Sequence, residues 1–346
     1  MGKAAALHEL LETGSDITIV CHNNPDPDCL ASALALGQIA AAAGIDERKI
    51  MYSGTISHQQ NRAFINLLEI DLHPFNEGTV RDRPETSLLA FVDHATPGAN
   101  NEVPEDVPVD IVIDHHPNEE IEARFVDHRV NVGATATILA EYLDDLEIEP
   151  TTNLSTALLF AIRRETLGFL RGTTLQEYYA AASLHEGADQ ELLRTLTMPA
   201  VSGTTIDAIA DAINNRVVRG STLITHVGRT TERDALPQAA DYLATLEGVG
   251  TAVVFGIVNA SIEMSARSTD SRVHIGDALN EAFNDVGSAG GHRTYAGGEV
   301  PLGIIGDLTD ADEDLIDIVE RVITNRLIKA LNLPEKPNDP TSKPVK

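Results

Sequence analysis

The sequence has 346 residues, of which 53 are Asp or Glu and 25 are Lys or Arg, so that the formal net charge is −28; 42% of the residues are apolar. A chain of this length exceeds what a single hydrophobic core usually serves, and two domains are expected. The negative charge argues against a protein that tracks long nucleic acid or binds an anionic membrane, because both partners would be repelled at modest ionic strength.

Short apolar strands alternate with helices through the first half of the sequence. The predicted strands cover residues 17–20, 49–52, 87–92 and 109–113. The predicted helices cover residues 4–13, 29–43, 58–69, 133–143, 153–163 and 175–184. This alternation is typical of an α/β fold with a doubly wound parallel sheet, in which ligands bind beyond the carboxyl ends of the strands.

The second half of the sequence predicts a smaller α/β domain. Its expected helices cover residues 205–214, 234–246, 276–285 and 313–331, and its expected strands cover residues 221–227, 251–258 and 261–266. We place the first domain at residues 1–195 and the second at 203–332. Residues 333–346, which contain four prolines and three lysines, are expected to be a disordered tail.

The turn after the first strand carries one imidazole and two carboxylates, His22, Asp26 and Asp28. Pro25 and Pro27 restrict its backbone, so the acids are held in place. Asp28 can also cap the helix that follows, which is the usual role of a lone acid in this position. Capping alone does not require three such groups, and the turn therefore predicts a site for a divalent metal.

Two other predicted strands also end in acids or imidazoles. Asp93 follows strand 87–92, and Asp114, His115 and His116 follow strand 109–113. Two divalent ions about 3.5–4 Å apart need a bridging carboxylate and several terminal ligands. Asp93 is the natural bridge between the other two groups. Mixed oxygen and imidazole ligands favour Mn²⁺, with Mg²⁺, Co²⁺ or Zn²⁺ as less favoured occupants.

A predicted glycine-rich loop in the second half offers a site for a phosphate or a base. Gly290 and Gly291 allow a ligand to approach the backbone closely, and His292 could bind a phosphate or a sugar. A simple turn before a strand is the alternative. Arg267, at the end of a predicted strand, is a candidate anion-binding residue, with a surface salt bridge as its rival interpretation.

These motifs, taken together, resemble those of a known family. The turn with His22, Asp26 and Asp28, then Asp93, then the Asp114–His116 triplet resemble in order and spacing the first three motifs of the DHH phosphoesterases. The segments at 290–292 and 296–298 are similar to the glycine-rich signature of one branch of that family. That branch contains nanoRNases, phosphatases of 3′-phosphoadenosine 5′-phosphate, cyclic di-AMP phosphodiesterases and RecJ-like exonucleases.

The resemblance implies two Mn²⁺ ions in the first domain and a nucleotide bound with the help of the second. His116 would face the scissile phosphate, and Asp114 would orient the histidines. The implied metal ligands are His22, Asp26, Asp28, Asp93, His115 and Glu165. The implied substrate-binding residues are Arg267, Ser268, Gly290, Gly291 and His292.

Three positions depart from the family pattern. The fourth motif of the family has Asp where this sequence has Glu165, which keeps the carboxylate but adds a methylene group. This change bears on the metal geometry and on turnover. Ala289 stands where the family has Gly, and Gly297 stands where it has Ala; both changes are sterically mild.

The sequence therefore predicts a two-domain, metal-dependent phosphodiesterase that hydrolyses short oligonucleotides or dinucleotides to 5′-mononucleotides. Cyclic di-AMP and 3′-phosphoadenosine 5′-phosphate are alternative substrates that the sequence does not separate from short RNA or DNA. A nucleotide-binding regulatory protein with weakened catalysis is the alternative from another class. Whether the protein forms a homodimer is left open.

Composition also suggests where the protein works. The acid excess with few lysines resembles cytosolic proteins of salt-loving organisms, with an acidic mesophilic protein as the alternative. We predict a cytoplasmic, halophilic protein without a signal peptide or membrane span. Cys21 and Cys29 lack the partners of a usual zinc site and are expected to be buried neutral thiols.

Overall fold

A computed structural model describes residues 2–54, 56, 59–117, 121–197, 201–307 and 312–337. The chain forms two compact units, Met1–Ala200 and Val201–Lys346. Most of the predicted tail, residues 338–346, lies outside the described residues. Among the helices that the structure describes, none combines the length and the apolar character that crossing a membrane requires.

The first unit contains a parallel sheet covered by helices. Its strands are β1 (Asp16–Val20), β2 (Glu47–Tyr52), β3 (His73–Pro74), β4 (Ser87–Val92), β5 (Ile111–Asp114) and β6 (Phe125–His128). The sheet order is β3-β2-β1-β4-β5-β6, and all neighbouring strands run parallel. The α/β class and the doubly wound parallel sheet are thereby confirmed. The short edge strands β3 and β6 were not predicted.

Eight helices of the first unit lie in the described residues. They are α1 (Lys3–Leu11), α2 (Pro27–Ala42), α3 (Gln59–Leu67), α4 (Glu77–Arg81), α5 (Thr135–Asp145), α6 (Thr152–Glu165), α7 (Leu175–His185) and α8 (Gln190–Thr197). Every residue of the central strand β4 is buried, as expected for a strand covered on both faces. Because β4 is enclosed in this way, the position of its end is fixed relative to the ends of its neighbours β1 and β5. The residues that follow these three strands are therefore held close to one another.

The second unit is built on a mixed sheet. Its strands are β7 (Val217–Arg219), β8 (Thr222–Thr230), β9 (Thr251–Val258), β10 (Ser261–Ser268), β11 (Ser288–Gly291) and β12 (Tyr295–Pro301). The order is β11-β12-β10-β9-β8-β7, and only β8 and β9 pair in parallel. Its helices are α9 (Gly203–Asn214), α10 (Ala235–Leu243), α11 (Ile275–Phe283) and α12 (Asp312–Ala330), with a short 3-10 helix at Gly303–Asp307.

The glycine-rich segment is an edge hairpin, whereas the sequence predicted a loop. Strand β11 pairs with β12, and α11 packs against the pair. A Cβ atom at Gly276 would lie 2.2 Å from the carbonyl oxygen of Gly291, so a side chain at position 276 would not fit. The Gly276 N–H donates to the carbonyl of His292 at 3.0 Å. Helix α11 therefore holds the tip of the hairpin directly.

Candidate metal centre

The order of the strands brings three separate parts of the sequence to one edge of the parallel sheet. Strand β4 lies between β1 and β5. Asp93, directly after β4, therefore stands between the turn after β1 and the residues at the end of β5. We call His22, Asp26, Asp28, Asp93, His115 and His116 the candidate metal centre.

The turn after β1 is held by a cap that differs from the one expected. The side chain of Asp26 accepts hydrogen bonds from the N–H groups of Asp28 (3.0 Å) and Cys29 (3.1 Å), and Pro27 is the first residue of α2. Asp26 is thus the N-cap, while Asp28 lies inside the first turn. The proposed cap at Asp28 was wrong, because α2 begins two residues earlier than predicted.

On one side of Asp93 lies His22. Its Nε2 is 3.6 Å from Oδ2 of Asp93 and 4.0 Å from Oδ1 of Asp26. Its Nδ1 lies 2.9 Å from the carbonyl oxygen of Asn23, which orients the ring. In the neutral imidazole this contact leaves the lone pair on Nε2, facing the acids.

On the other side of Asp93 lie two further imidazoles. Nε2 of His115 is 3.5 Å from Oδ1 of Asp93 and 3.7 Å from Oδ2 of Asp28, and Nδ1 of His116 is 3.7 Å from Oδ1 of Asp93. Asp93 thus directs one carboxylate oxygen to each side, which is the arrangement a bridging ligand requires. Its backbone is left-handed, with φ of +66°, a conformation that costs energy for a non-glycine residue.

An unpaired nitrogen atom shows that a cation fits here. Nε2 of His115 is buried and makes no hydrogen bond to any residue that the structure describes, while Nδ1 lies 3.0 Å from the carbonyl of Val132. The ligand atoms of Asp93, His115 and His116 lie within 4.8 Å of one another. An imidazole lone pair that faces two carboxylates is unfavourable unless a cation lies between them.

The acids repel one another in this buried setting. Burial raises the pKa of Asp28 to about 6, although the nearby His115 opposes the effect. Burial and the charges of Asp28 and Asp26 raise the pKa of Asp93 well above its usual range. A divalent cation would remove this repulsion, and it would have to compete with protons for the same oxygen atoms.

His116 and Asp114 form a hydrogen-bonded pair beside the centre. Oδ1 of Asp114 lies 2.9 Å from Nδ1 of His116 and accepts the His116 backbone N–H at 3.0 Å. The hydrogen bond to Asp114 raises the pKa of His116 to about 9. Burial disfavours the ionised form of Asp114, but the hydrogen bonds from His116 prevail and lower its pKa. The His116 side chain remains 52% exposed, so the imidazolium can reach a ligand.

Glu165 lies near the candidate metal centre, because its charge adds to burial in raising the pKa of Asp28. It ends α6, and its Oε1 accepts a hydrogen bond from Arg171 at 2.7 Å. Its role as a metal ligand stays a prediction. Cys29 lies within 4.8 Å of ligand atoms of His22 and Asp93, but burial raises the pKa of its thiol, which is therefore a poor metal ligand. Both cysteines are buried and free, as expected.

Sequence reasoning missed the residues that hold the acids. The first N–H groups of α5 donate to Asp28, from Thr135 to Oδ2 and from Ala136 to Oδ1, both at 2.8 Å. The Thr135 hydroxyl donates to Oδ1 of Asp93 at 2.9 Å. The only feature of the sequence that pointed to Thr135 and Ala136 was the run of small residues at the start of a predicted helix.

In the second unit, the predicted binding residues Arg267 and Ser268 differ in burial and in their hydrogen-bond partners. Nε of Arg267 donates to Oδ1 of Asp241 at 2.5 Å, and its Nη1 donates to Oγ of Ser265 at 3.2 Å. Ser268 is buried, and its hydroxyl lies 2.9 Å from that of Thr251. Arg267 is therefore the more accessible of the two predicted contacts.

Two glycines leave part of one face of the second sheet without side chains. Gly290 pairs with Gly297 across β11 and β12. Among the described residues, a Cβ atom would have no neighbour closer than 4.0 Å at Gly290 and 3.5 Å at Gly297, and neither residue has a positive φ. Neither the backbone conformation nor packing against the described part of the chain therefore requires glycine at these positions. We call Gly290 and Gly297 the glycine floor.

Three polar or aromatic side chains lie beside the glycine floor. Arg267 in β10 lies opposite Tyr295 in β12, and Ser265 lies opposite Gly297. Because alternate residues of a strand face the same side of the sheet, the side chains of Arg267 and Tyr295 lie on the face of the glycine floor. The centroid of the His292 ring lies 4.6 Å from that of Tyr295, with the two rings tilted by 39°. The arrangement offers a flat surface, an aromatic edge and a cation, which are the features that bind a nucleotide.

Comparison with known proteins agrees with these two units. The profile described as "DHH family, N-terminal domain" matches residues 16–162, and the profile described as "DHHA1 domain" matches residues 219–325. A crystal structure of an exopolyphosphatase-related protein from Bacteroides fragilis has the same fold, with a TM-score of 0.71 and 14% sequence identity. The similarity covers 95% of this chain and 97% of that one.

Three curated relatives illustrate the range of similarity. An uncharacterised protein of Methanocaldococcus jannaschii is 39% identical over 94% of this chain and 66% of its own. A probable manganese-dependent inorganic pyrophosphatase of Listeria monocytogenes is 29% identical over 49% of this chain and 55% of its own. The cyclic-di-AMP phosphodiesterase PdeA of the same species is 25% identical over 91% of this chain and 49% of its own.

The chain spans about half to two thirds of the length of these three relatives. With both domain profiles matched in order along one chain, the protein belongs to the DHH phosphoesterase family and consists of a DHH domain followed by a DHHA1 domain.

Proposed function

We propose that the protein is a Mn²⁺-dependent phosphodiesterase that hydrolyses short oligonucleotides or dinucleotides and releases 5′-mononucleotides. The observation that carries the proposal is Asp93, which directs one oxygen to His22 and the other to His115 and His116. We assign catalysis to residues 1–195 and nucleotide binding to residues 203–332. The acid-rich composition supports a cytoplasmic protein adapted to high salt.

The donor set suits two divalent ions. His22 and Asp26 would hold one, Asp28 and His115 the other, and Asp93 would bridge them. When bound, such ions lower the pKa of a coordinated water and neutralise charge on the phosphoryl oxygens. The mixture of carboxylates and imidazoles favours Mn²⁺, with Mg²⁺ or Co²⁺ as alternatives.

His116 contributes a positive hydrogen-bond donor of its own. Because Asp114 raises its pKa to about 9, the ring is protonated at neutral pH. Nδ1 contacts Asp114, and we assign Nε2–H as the donor to a phosphoryl oxygen or to the leaving oxygen of the ester. Asp114 itself stays ionised and serves to orient the ring.

The second unit supports a nucleotide as the substrate. The glycine floor would accept a flat base, Arg267 would pair with a phosphate, and His292 would contact the base or the sugar. We assign to Ser268 and Gly291 the role of holding the backbone of this site in place. Inorganic pyrophosphate needs no such surface, and the similarity to the pyrophosphatase covers only 49% of this chain.

The test is hydrolysis by the purified full chain in Mn²⁺ and high salt. We expect pApA to be cleaved to AMP faster than cyclic di-AMP, 3′-phosphoadenosine 5′-phosphate or pyrophosphate are hydrolysed. The variant Asp93→Asn is the inactive control. If pApA stays intact while elemental analysis shows bound metal, the proposal is wrong. If cyclic di-AMP is the best substrate, the chemistry stands and the substrate class changes.

One observation favours a second candidate, a nucleotide-binding regulatory protein with weakened catalysis. Arg171 binds the carboxylate of Glu165, the one predicted ligand that departs from the family pattern. This candidate predicts tight nucleotide binding with negligible turnover. It also predicts a large gain in rate in Glu165→Asp, whereas an unchanged rate in that variant would reject it.

A further inference from the structure

The start of α5 contacts both central acids of the candidate metal centre. Thr135 donates its N–H to Asp28 and its hydroxyl to Asp93, and Ala136 donates a second N–H to Asp28. Thr135 is fully buried. One residue therefore fixes the position of a carboxylate from the turn after β1 relative to the carboxylate after β4.

A buried carboxylate holds the segment that precedes α5. Oε1 of Glu177 accepts the N–H of Gly133 at 2.8 Å, two residues before Thr135. Oε2 of Glu177 accepts the N–H of Thr174 at 2.6 Å and its hydroxyl at 2.7 Å. The Thr174 contacts form the N-terminal cap of α7. Capping requires only Oε2, so the bond from Gly133 to Oε1 is an additional connection.

The segment around Gly133 has no room to move. A Cβ atom at position 133 would lie 2.7 Å from the carbonyl oxygen of Gly172 and 3.0 Å from Cγ2 of Thr166. Glu177 is 0% exposed and packs on the same glycine. The backbone that leads into Thr135 is thus enclosed by α7 and by the loop that follows α6.

We propose that Thr135 and Glu177 are positioning residues that set the separation of the Asp28 and Asp93 carboxylates for metal binding. Thr135 acts on the acids directly, and Glu177 acts through Gly133. This inference rests on the proposed function. It assigns roles to two residues that are 42 and 84 positions from Asp93 in the sequence, and neither would touch the substrate.

Substitutions at Thr135 separate positioning from packing. Thr135→Val keeps the shape of the side chain but removes the donor, so Oδ1 of Asp93 loses its hydrogen bond in a buried position. Thr135→Ser keeps the donor. Because residues that orient metal ligands typically change affinity or activity by about 10–100-fold, we expect a loss of at least about tenfold in Mn²⁺ affinity in Thr135→Val. Thr135→Ser should restore most of it.

Substitutions at Glu177 separate positioning from capping. In Glu177→Gln the amide –NH₂ must face either Gly133 N–H or Thr174 N–H, both of which are donors. The matched control is Thr174→Ala, which weakens the cap and leaves the Glu177–Gly133 bond in place. We expect Glu177→Gln to lower Mn²⁺ affinity by about tenfold and Thr174→Ala to lower the Tm without this change.

The experiment measures Mn²⁺ affinity by calorimetry, Tm by circular dichroism, and kcat and KM for pApA over a range of Mn²⁺ concentrations. The inference holds if Thr135→Val and Glu177→Gln need more Mn²⁺ for activity while KM for pApA at saturating Mn²⁺ is unchanged. It fails if their Mn²⁺ affinity equals that of the wild type, or if they lose only Tm. A wild-type protein that binds Mn²⁺ without cleaving pApA would overturn the proposed substrate and leave this affinity test intact.

Discussion

At the carboxyl edge of the parallel sheet, acids and imidazoles lie buried and close together, whereas the glycine floor of the second unit presents a face almost without side chains. Asp28 and Asp93 are 2% and 4% exposed and have raised pKa values. A Cβ atom at Gly290 or Gly297 would make no contact closer than 3.5 Å with the described residues. One region concentrates charge that needs a cation, and the other leaves room that suits a flat ligand.

The difference shows how each region constrains the sequence. In the candidate metal centre, the chemical group itself is required, and a substitution should change metal binding before it changes the fold. At the glycine floor, only the proposed ligand would require the absence of a side chain, and a substitution should change ligand binding alone. Gly291 and Gly276 lie nearby but are required for packing, which makes them suitable comparisons.

The largest effect is expected at the bridge. Asp93→Asn keeps the shape of the side chain but removes the charge that faces both groups of ligands. Loss of a metal position removes several kcal/mol of transition-state stabilisation, so kcat/KM for pApA should fall roughly a thousandfold. Bound Mn²⁺, measured by elemental analysis, should fall with it. Equal metal content and rate in the variant and the wild type would contradict the assignment of Asp93 as the bridge.

A smaller effect is expected at His116. His116→Asn removes the imidazolium but leaves Asp93 and His115 in place. General acid–base groups typically contribute 10²–10⁴-fold, and we expect kcat for pApA to fall about a hundredfold while Mn²⁺ affinity changes little. His185→Asn, on the surface of α7, is the matched control. A loss of metal with unchanged kcat at saturating Mn²⁺ would instead make His116 a ligand.

The glycine floor should respond in KM. Gly297→Leu places a side chain in the open space and should raise KM for pApA about tenfold, which is the cost of roughly 1.4 kcal/mol of binding. The Tm and the Mn²⁺ affinity should stay unchanged. Gly276→Ala is the comparison, because its Cβ would lie 2.2 Å from the Gly291 carbonyl oxygen and should lower the Tm. Unchanged KM in Gly297→Leu would show that no base lies on the floor.

The sequence was most informative where a residue follows directly on an apolar strand. Asp93 and His115 were identified because the end of a buried strand can be located from its hydrophobic run. Thr135 could not be identified, because its contact with Asp93 joins residues 42 positions apart and depends on how α5 packs.

The glycine segment illustrates a second limit of sequence reasoning. Gly290 and Gly291 suggested a loop, but they pair with β12 as an edge strand. Glycine has a low strand propensity, and tertiary packing by α11 overrides it. Gly290 and Gly291 could not be distinguished from the sequence alone. A Cβ atom would fit at Gly290, whereas a φ of +150° and close packing require glycine at position 291.

The smallest effect is expected in the dependence of stability on pH. This dependence distinguishes the buried acids of the candidate metal centre, whose pKa values are raised, from acid pairs whose pKa values are ordinary. In EDTA, the raised pKa values of Asp28 and Asp93 mean that the folded protein binds these protons more tightly than the unfolded chain does. The contribution of Asp28 to stability is therefore complete below about pH 4 and is lost as the pH rises through about 6, and that of Asp93 is lost as the pH rises through its own raised pKa.

We therefore expect Asp93→Asn to exceed the wild type in Tm in EDTA, by a margin that grows between pH 5 and pH 8. A difference of one kcal/mol corresponds to roughly 2–4 °C in a domain of this size. In saturating Mn²⁺ the order should reverse at pH 8, because the cation then compensates the charges that destabilise the metal-free protein. A margin that is independent of pH, or that shrinks as the pH rises, would mean that burial and mutual repulsion do not raise the pKa values of these acids, and the physical reason for placing a cation between them would be lost.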